Sequence, residues 1–181
     1  MESTTQIFLR VQVSEDESDF IKGEALVQGY ADRVQINSFD FNIKAKEQTP
    51  SKPTPDVSNN LDFDPVHVTK FFDRASMRLA ALLKSRTQLC EVRVTVDQQL
   101  EELGVGKAQN AILVFHLYQA RIVDIKLGVS EDKVSAIVKE TVSFSFRNFS
   151  VEYYFKGTKN NKKSDYRDSW VGFETDYAVQ D

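Results

Sequence analysis

The stretch Val66–Lys84, VHVTKFFDRASMRLAALLK, constrains the fold more than any other part of the chain. Its first half alternates apolar and polar residues like a strand, and its second half carries apolar residues at helical spacing. No other stretch of the sequence has that helical spacing. A lone short helix cannot bury its apolar stripe by itself, so it must lie against a sheet. The pattern predicts a mainly β chain built around this junction.

Within the junction, Ser76 is a good N-cap and Asp73 competes with it a turn earlier. Leu79, Ala80 and Leu83 are expected to face the sheet, with Met77 and Leu82 flanking them, while Arg78, Ala81 and Ser85 face away. At about 15 Å long, such a helix depends on tertiary packing.

The rest of the chain reads as strand and connection. Ile7, Leu9, Val11 and Val13 alternate with Phe8, Arg10 and Gln12, the pattern of a half-buried strand. The acidic run Ser14–Asp19 is a solvated loop, and a second strand is expected around Ile21–Tyr30. Val34 and Ile36 share one parity, whereas Phe39, Phe41 and Ile43 share the other. Because side chains alternate faces along a strand, that shift requires a bulge or sharp bend near Asn37–Ser38. Lys44–Asn60 holds three of the four prolines and reads as a long loop or arm. Strand resumes over Leu61–Phe72, and Cys90, Val92, Val94 and Val96 form one inward face of another strand. Asp97–Asn110 is a turn-rich connection, and Ala111–Leu127 is one long strand with a bend. A second parity shift, at Arg147–Asn148, separates Val142, Phe144 and Phe146 from Phe149, Val151, Tyr153 and Phe155. Lys156–Asp165 is a basic hairpin-like loop, and Trp170–Tyr177 closes the sheet. With no internal repeat and 181 residues, a single domain over 1–181 is expected.

Composition and motifs exclude several functions. A formal charge of -4 argues against nonspecific nucleic-acid or anionic-membrane binding. No apolar run approaches the ~20 residues of a membrane helix, and the amino terminus lacks the pattern of a signal peptide. One cysteine, Cys90, allows no internal disulfide and suits a reducing compartment. Gly104-Val105-Gly106-Lys107 has Glu101 and Ala108 where a phosphate loop needs glycine and Ser or Thr. His67 and His116 have no metal-ligand spacing, and no GxSxG elbow is present. No catalytic residue, cofactor site or metal site is expected. Opposite charge on the acidic run and the basic Lys156–Lys163 run suits head-to-tail association.

Several segments carry a resemblance. Lys22-Gly23-Glu24, the spacing of Val34, Ile36, Phe39 and Phe41, and the run Thr69-Lys70-Phe71-Phe72-Asp73-Arg74-Ala75-Ser76 belong to it, as do Glu140, Val142, Phe144, Phe146, Val151, Tyr153 and Trp170. In this order they resemble the hemolysin-coregulated protein family, the tube-forming component of type VI secretion systems. The residues matching family motifs are Lys22, Gly23, Glu24, Thr69, Lys70, Asp73, Ser76, Glu140 and Trp170. Lys44–Asn60 departs from the family's small-residue loop, and Phe39 and Phe41 stand where tryptophan is frequent.

The resemblance implies a β-barrel of two antiparallel sheets with one flanking helix, assembling into hexameric rings that stack into a tube. Ring closure and stacking are the two heterologous contacts such an assembly needs. It also implies a transport role without catalysis: a subunit that carries effector proteins and meets sheath, baseplate and spike. Such a subunit is made in the cytoplasm and leaves through the apparatus, with no nucleic-acid partner and no membrane insertion. Arg78, Ala81 and Ser85 are then a candidate ring surface. The rival readings are a tube protein of another contractile injection system or phage, a monomeric barrel binding a small ligand, and a β-fold enzyme using His67 or His116.

Overall fold

The computed structural model describes residues 4–45, 61–99, 111–131, 136–159 and 162–173. Along the chain these form β1 (Thr4–Gln12), β2 (Val34–Ile36), β3 (Ser38–Asp40), β4 (Ile43–Ala45), β5 (Leu61–Phe63) and β6 (Val66–Phe71). The helix α1 (Arg74–Ser85) follows, then β7 (Leu89–Gln99), β8 (Ala111–Glu131), β9 (Ala136–Ser145), β10 (Asn148–Lys159) and β11 (Lys162–Phe173). All pairings among them are antiparallel. One sheet runs β2-β1-β7-β8-β10-β11, and the second runs β8-β9-β6-β3.

Both parity shifts are corners at which the chain changes sheet. Val34–Ile36 pairs with β1 and Ser38–Asp40 with β6; between them the Asn37 N–H donates to the Thr69 carbonyl at 2.7 Å. At the second corner β9 gives way to β10, and the Arg147 N–H donates to the Tyr118 carbonyl at 3.2 Å. The facing strand bends with it: Gln119 of β8 is left-handed at φ 50°, and the β8–β9 register slips between Ile122 and Asp124. The long bent strand expected over Ala111–Leu127 is therefore present, extended to Glu131. The closed barrel is not. At Asn37 the ladder breaks between two sheets instead of continuing round, which leaves two antiparallel sheets with an open path.

One apolar core draws on both sheets and the helix, with Leu9, Val34, Val92, Val94 and Leu117 from the first sheet and Val66, Val68, Val142 and Phe144 from the second. Phe41, Phe63, Phe115, Phe146 and Phe149 close one end, with ring centroids 4.9 to 6.3 Å apart in mostly edge-to-face pairs. Phe63 comes from β5, opposite Ile43, and Phe41 from the chain just ahead of β4. Lys44, expected in the Pro-rich loop, lies within β4 and ion-pairs with Asp64 at 2.7 Å; residues 46–60 lie outside the described residues.

Five further expectations change. Ile21–Tyr30 is not a strand. Phe20 makes a single bridge to Gln12, and then the chain turns back on itself, with Gly23 N–H donating to Asp32, Ala25 to Arg33 and Asp32 to Ala25. This segment covers the outer face of β1, where Phe8 stacks on Tyr30 at 4.2 Å. Both faces of β1 are consequently covered; on β7, Glu91 and Asp97 are buried as well as Val92 and Val94, while Cys90 is only partly buried. Asp97–Gln99, expected in a turn, continue β7; residues 100–110 lie outside the described residues. Lys156–Asp165 is a hairpin whose strands reach Lys159 and Lys162, so the loop is narrower than expected. On the helix, Ala75 and Ser76 join Leu79 in the buried set and Ala80 is exposed; α1 begins at Arg74, three residues earlier than a Ser76 cap would set it.

Candidate functional site

The start of α1 gathers the motif residues of three distant segments. Asp73 has extended backbone (φ -144°, ψ -174°), and its carboxylate accepts from the Ala75 N–H at 2.9 Å. Ser76 sits three residues on and accepts from the Asp73 N–H at 3.0 Å. Both candidate caps are thus used, Asp73 as the N-cap and Ser76 as its reciprocal partner in a capping box.

Lys70, the second-to-last residue of β6, points inward and is 0% exposed. Its ammonium donates to Asp73 Oδ1 at 2.7 Å, the Phe71 carbonyl at 2.8 Å and Ser76 Oγ at 3.0 Å. Glu140 Oε1 lies 2.6 Å away, on a side chain 1% exposed. The register explains the meeting, since Lys70 is directly opposite Glu140 in the β6–β9 ladder. Ser76 Oγ completes the set by donating to Glu140 Oε1 at 2.8 Å. One position back, Thr69 and Thr141 face each other with their hydroxyls 3.2 Å apart.

The amino-terminal motif arrives from the other side. Glu24 Oε1 accepts the Arg74 N–H at 3.0 Å, placing a carboxylate at the positive end of the helix. Beside it, Gly23 lets the segment lie tight against Arg33 and Val34: a Cβ there would lie 2.3 Å from the Arg33 carbonyl oxygen and 2.5 Å from Val34 Cα. Lys22 is exposed beside it. Arg74 then reaches Asp32 Oδ1 at 2.7 Å. Sequence reasoning missed Asp32 and Thr141, and the partners of Arg74, because no local spacing reveals partners dozens of residues apart. Trp170 lies on β11, opposite Val151 in the β10–β11 ladder.

Chemically, the centre is enclosed. The hydroxyl of Ser76 and the ammonium of Lys70 are committed to named acceptors, so the arrangement fixes a helix on a sheet and offers little to a substrate. The solvent side of α1 carries Arg78, Ala81 and Ser85, all exposed. Arg78 is 3.6 Å from Asp19, and Ser85 Oγ bonds the Leu82 carbonyl and Thr87. The helix ends at Arg86, left-handed at φ 52°, with its N–H turned back onto the last carbonyls.

The two histidines are on different sheets. His67 Nδ1 is 2.7 Å from Ser143 Oγ, but Ser143 is buried beneath it. His116 Nδ1 is 2.6 Å from Glu91 Oε1, which also takes Arg93. Burial alone would raise the Glu91 carboxyl; the His116 hydrogen bond and Arg93 outweigh it and hold it below the usual range. Among the described residues no three His, Cys, Asp or Glu side chains group as a metal would need, and no helix is long and apolar enough to cross a membrane.

The model of the family described as "Type VI secretion system effector, Hcp" matches residues 8–153. Solved structures share the fold. Hcp1 from Salmonella typhimurium superposes with a TM-score of 0.62 at 17% identity, over 92% of this chain and 93% of that one. The secreted protein Hcp3 from Pseudomonas aeruginosa gives 0.58 at 21% identity, over 92% and 99%. A type VI secretion system effector from Yersinia pestis gives 0.60 at 12% identity, over 93% and 99%. No curated protein sequence matches the chain at a significant level.

Proposed function

This chain belongs to the Hcp family of type VI secretion system proteins, and from that premise we propose that it works as the repeating subunit of the system's inner tube. Six copies close into a ring, rings stack, and the lumen carries effector proteins outward when the sheath contracts. The partners are other copies of the chain, the sheath, the baseplate and spike, and effectors. The subunit is made in the cytoplasm and exported through the apparatus it helps to build. It performs no catalysis; the separation of His67 and His116 and the enclosed helix start support that reading.

The observation that carries the proposal is the family match over 8–153, spanning every segment that meets at the helix start. The exposed side of α1, with Arg78, Ala81 and Ser85, is the proposed contact between neighbouring subunits of a ring. A helix pinned at its first turn by the buried Lys70, Ser76 and Glu140 and the half-buried Asp73 presents that side rigidly, as a repeated interface requires. Native mass measurement with negative-stain imaging tests the assembly. Six copies of 20.7 kDa predict a species of about 124 kDa that images as a ring. A chain that stays monomeric at micromolar concentration and shows no rings overturns the reading.

A further inference from the structure

On the outer face of the first sheet, the register sets Arg10 of β1 directly opposite Arg93 of β7, and Arg93 directly opposite His116 of β8. Like charges facing each other across a ladder repel, so this is an unfavourable pairing for a sheet to keep. A third guanidinium then joins them. Arg33, from the segment that covers β1, lines the same cleft of about 350 Å³ together with Arg10, Arg93, Tyr30, His116 and Glu152. Phe20 holds two of the cations in place, its ring centroid 5.3 Å from Arg10 Cζ and 5.4 Å from Arg33 Cζ.

The nearby carboxylates leave charge unanswered. Glu91 is committed to Arg93 Nη2 at 2.9 and 3.1 Å and to His116 Nδ1 at 2.6 Å. Glu152, on the cleft wall, is not free either. Arg10 Nη2 is satisfied only by the neutral carbonyl of Glu17, at 2.6 Å. Arg33 forms no ion pair among the described residues, and its Nη1 is buried without a hydrogen-bond partner. Arg10 Nε, Arg93 Nε and His116 Nε2 are in the same condition. Burial, Arg10 and Arg93 together lower the basicity of the Arg33 guanidinium. Gathering partly buried cations with unused donors is costly to a folded chain unless an anion joins them.

We propose that the cleft bounded by Arg10, Arg33 and Arg93 binds a tetrahedral oxoanion, a phosphate that is either free or carried by a small phosphomonoester. Guanidinium groups match phosphate oxygens in pairs and keep their charge at any physiological pH. A bound phosphate relieves the Arg10–Arg93 repulsion and supplies Arg33 with its missing partner. Nothing in this argument depends on ring formation, so the site belongs to the single chain.

Calorimetric titration of the purified full-length chain tests it, in chloride buffer of low ionic strength, with inorganic phosphate and glycerol phosphate as separate probes. The expected result is saturable binding at one site per chain, weakened at least tenfold in Arg33→Gln and in Arg10→Gln but unchanged in Lys126→Gln, a cation elsewhere on the surface. Equal affinity for the two probes identifies the anion itself as the ligand; a preference for glycerol phosphate identifies the ester. Melting curves show whether the arginine variants are folded. Folded variants that bind phosphate as well as the unmodified chain, or non-saturable heats in the unmodified chain, overturn the proposal.

Discussion

Two residues show how much depends on a single side chain. Lys70 and Glu140 are both enclosed, so removing Lys70 leaves the Glu140 carboxylate in the core without its counter-charge. Such a loss costs about 3–5 kcal/mol. Lys70→Met is therefore expected to lower the urea midpoint sharply, and Lys70→Met with Glu140→Leu to recover much of the loss. A double variant as unstable as the sum of the singles would show that the two groups do not act as a pair. Tyr30 makes a pH prediction. Burial, the Asp97 carboxylate and the hydrogen bond between them push its phenol up to about 12. The folded chain thus keeps a proton between about pH 10 and about pH 12 that the unfolded chain has lost. Stability must fall as pH rises through that window. Tyr30→Phe should remove this part of the slope, and with it the last phase of phenolate absorbance among six tyrosines. Six tyrosines ionising together near pH 10 would refute the assignment.

Elements were legible wherever period alone identifies them. The helix followed from the spacing of Leu79 and Leu83, and the corners at Asn37 and Arg147 from apolar parity, because a strand that changes parity must turn to keep its core face inward. The strand assigned to Ile21–Tyr30 failed for a physical reason. Its apolar residues serve two places: Ile21 enters the main core, while Ala25 and Tyr30 cover the outer side of β1. Local alternation cannot show which sheet face a segment crosses. The helix supports a prediction at this scale. Leu79 is fully buried against the sheets, and losing such a leucine alone costs about 2–5 kcal/mol. Leu79→Asp adds an unpaired buried charge, together enough to exceed the total stability of many domains, about 5–15 kcal/mol. The variant should give no cooperative melting transition; a normal one would remove α1 from the core.

For the molecule as a whole, the same helix separates folding from assembly. Arg78 is largely exposed, and its contact with Asp19 is a surface ion pair, worth about 0–1 kcal/mol. Arg78→Glu should leave the melting temperature within a few degrees of the original while reducing the ring fraction by native mass. Normal rings from that variant would restrict α1 to core support. The acidic run Ser14–Ser18 is exposed, whereas the side chains of the basic run Lys156–Lys163 lie outside the described residues, so the charge-guided contact between them stands as a proposal.

The motif residues were readable in advance as types at positions: a KGE step, a threonine–lysine pair before a cap, a glutamate opening a later strand. Periodicity established a mainly β chain with one helix, and its breaks located the bends. The reason those residues belong together was not in the sequence. Lys70 meets Glu140 because β6 pairs with β9 in that register, and Glu24 reaches the Arg74 N–H from a segment that Gly23 lets lie tight against Arg33 and Val34. Arg10, Arg33 and Arg93 likewise lie too far apart in sequence to suggest one cleft. Local spacing determines which way a side chain faces along its own element. Only the pairing of distant strands decides which charges must share a space with little water, and that is where this protein's polar chemistry lies.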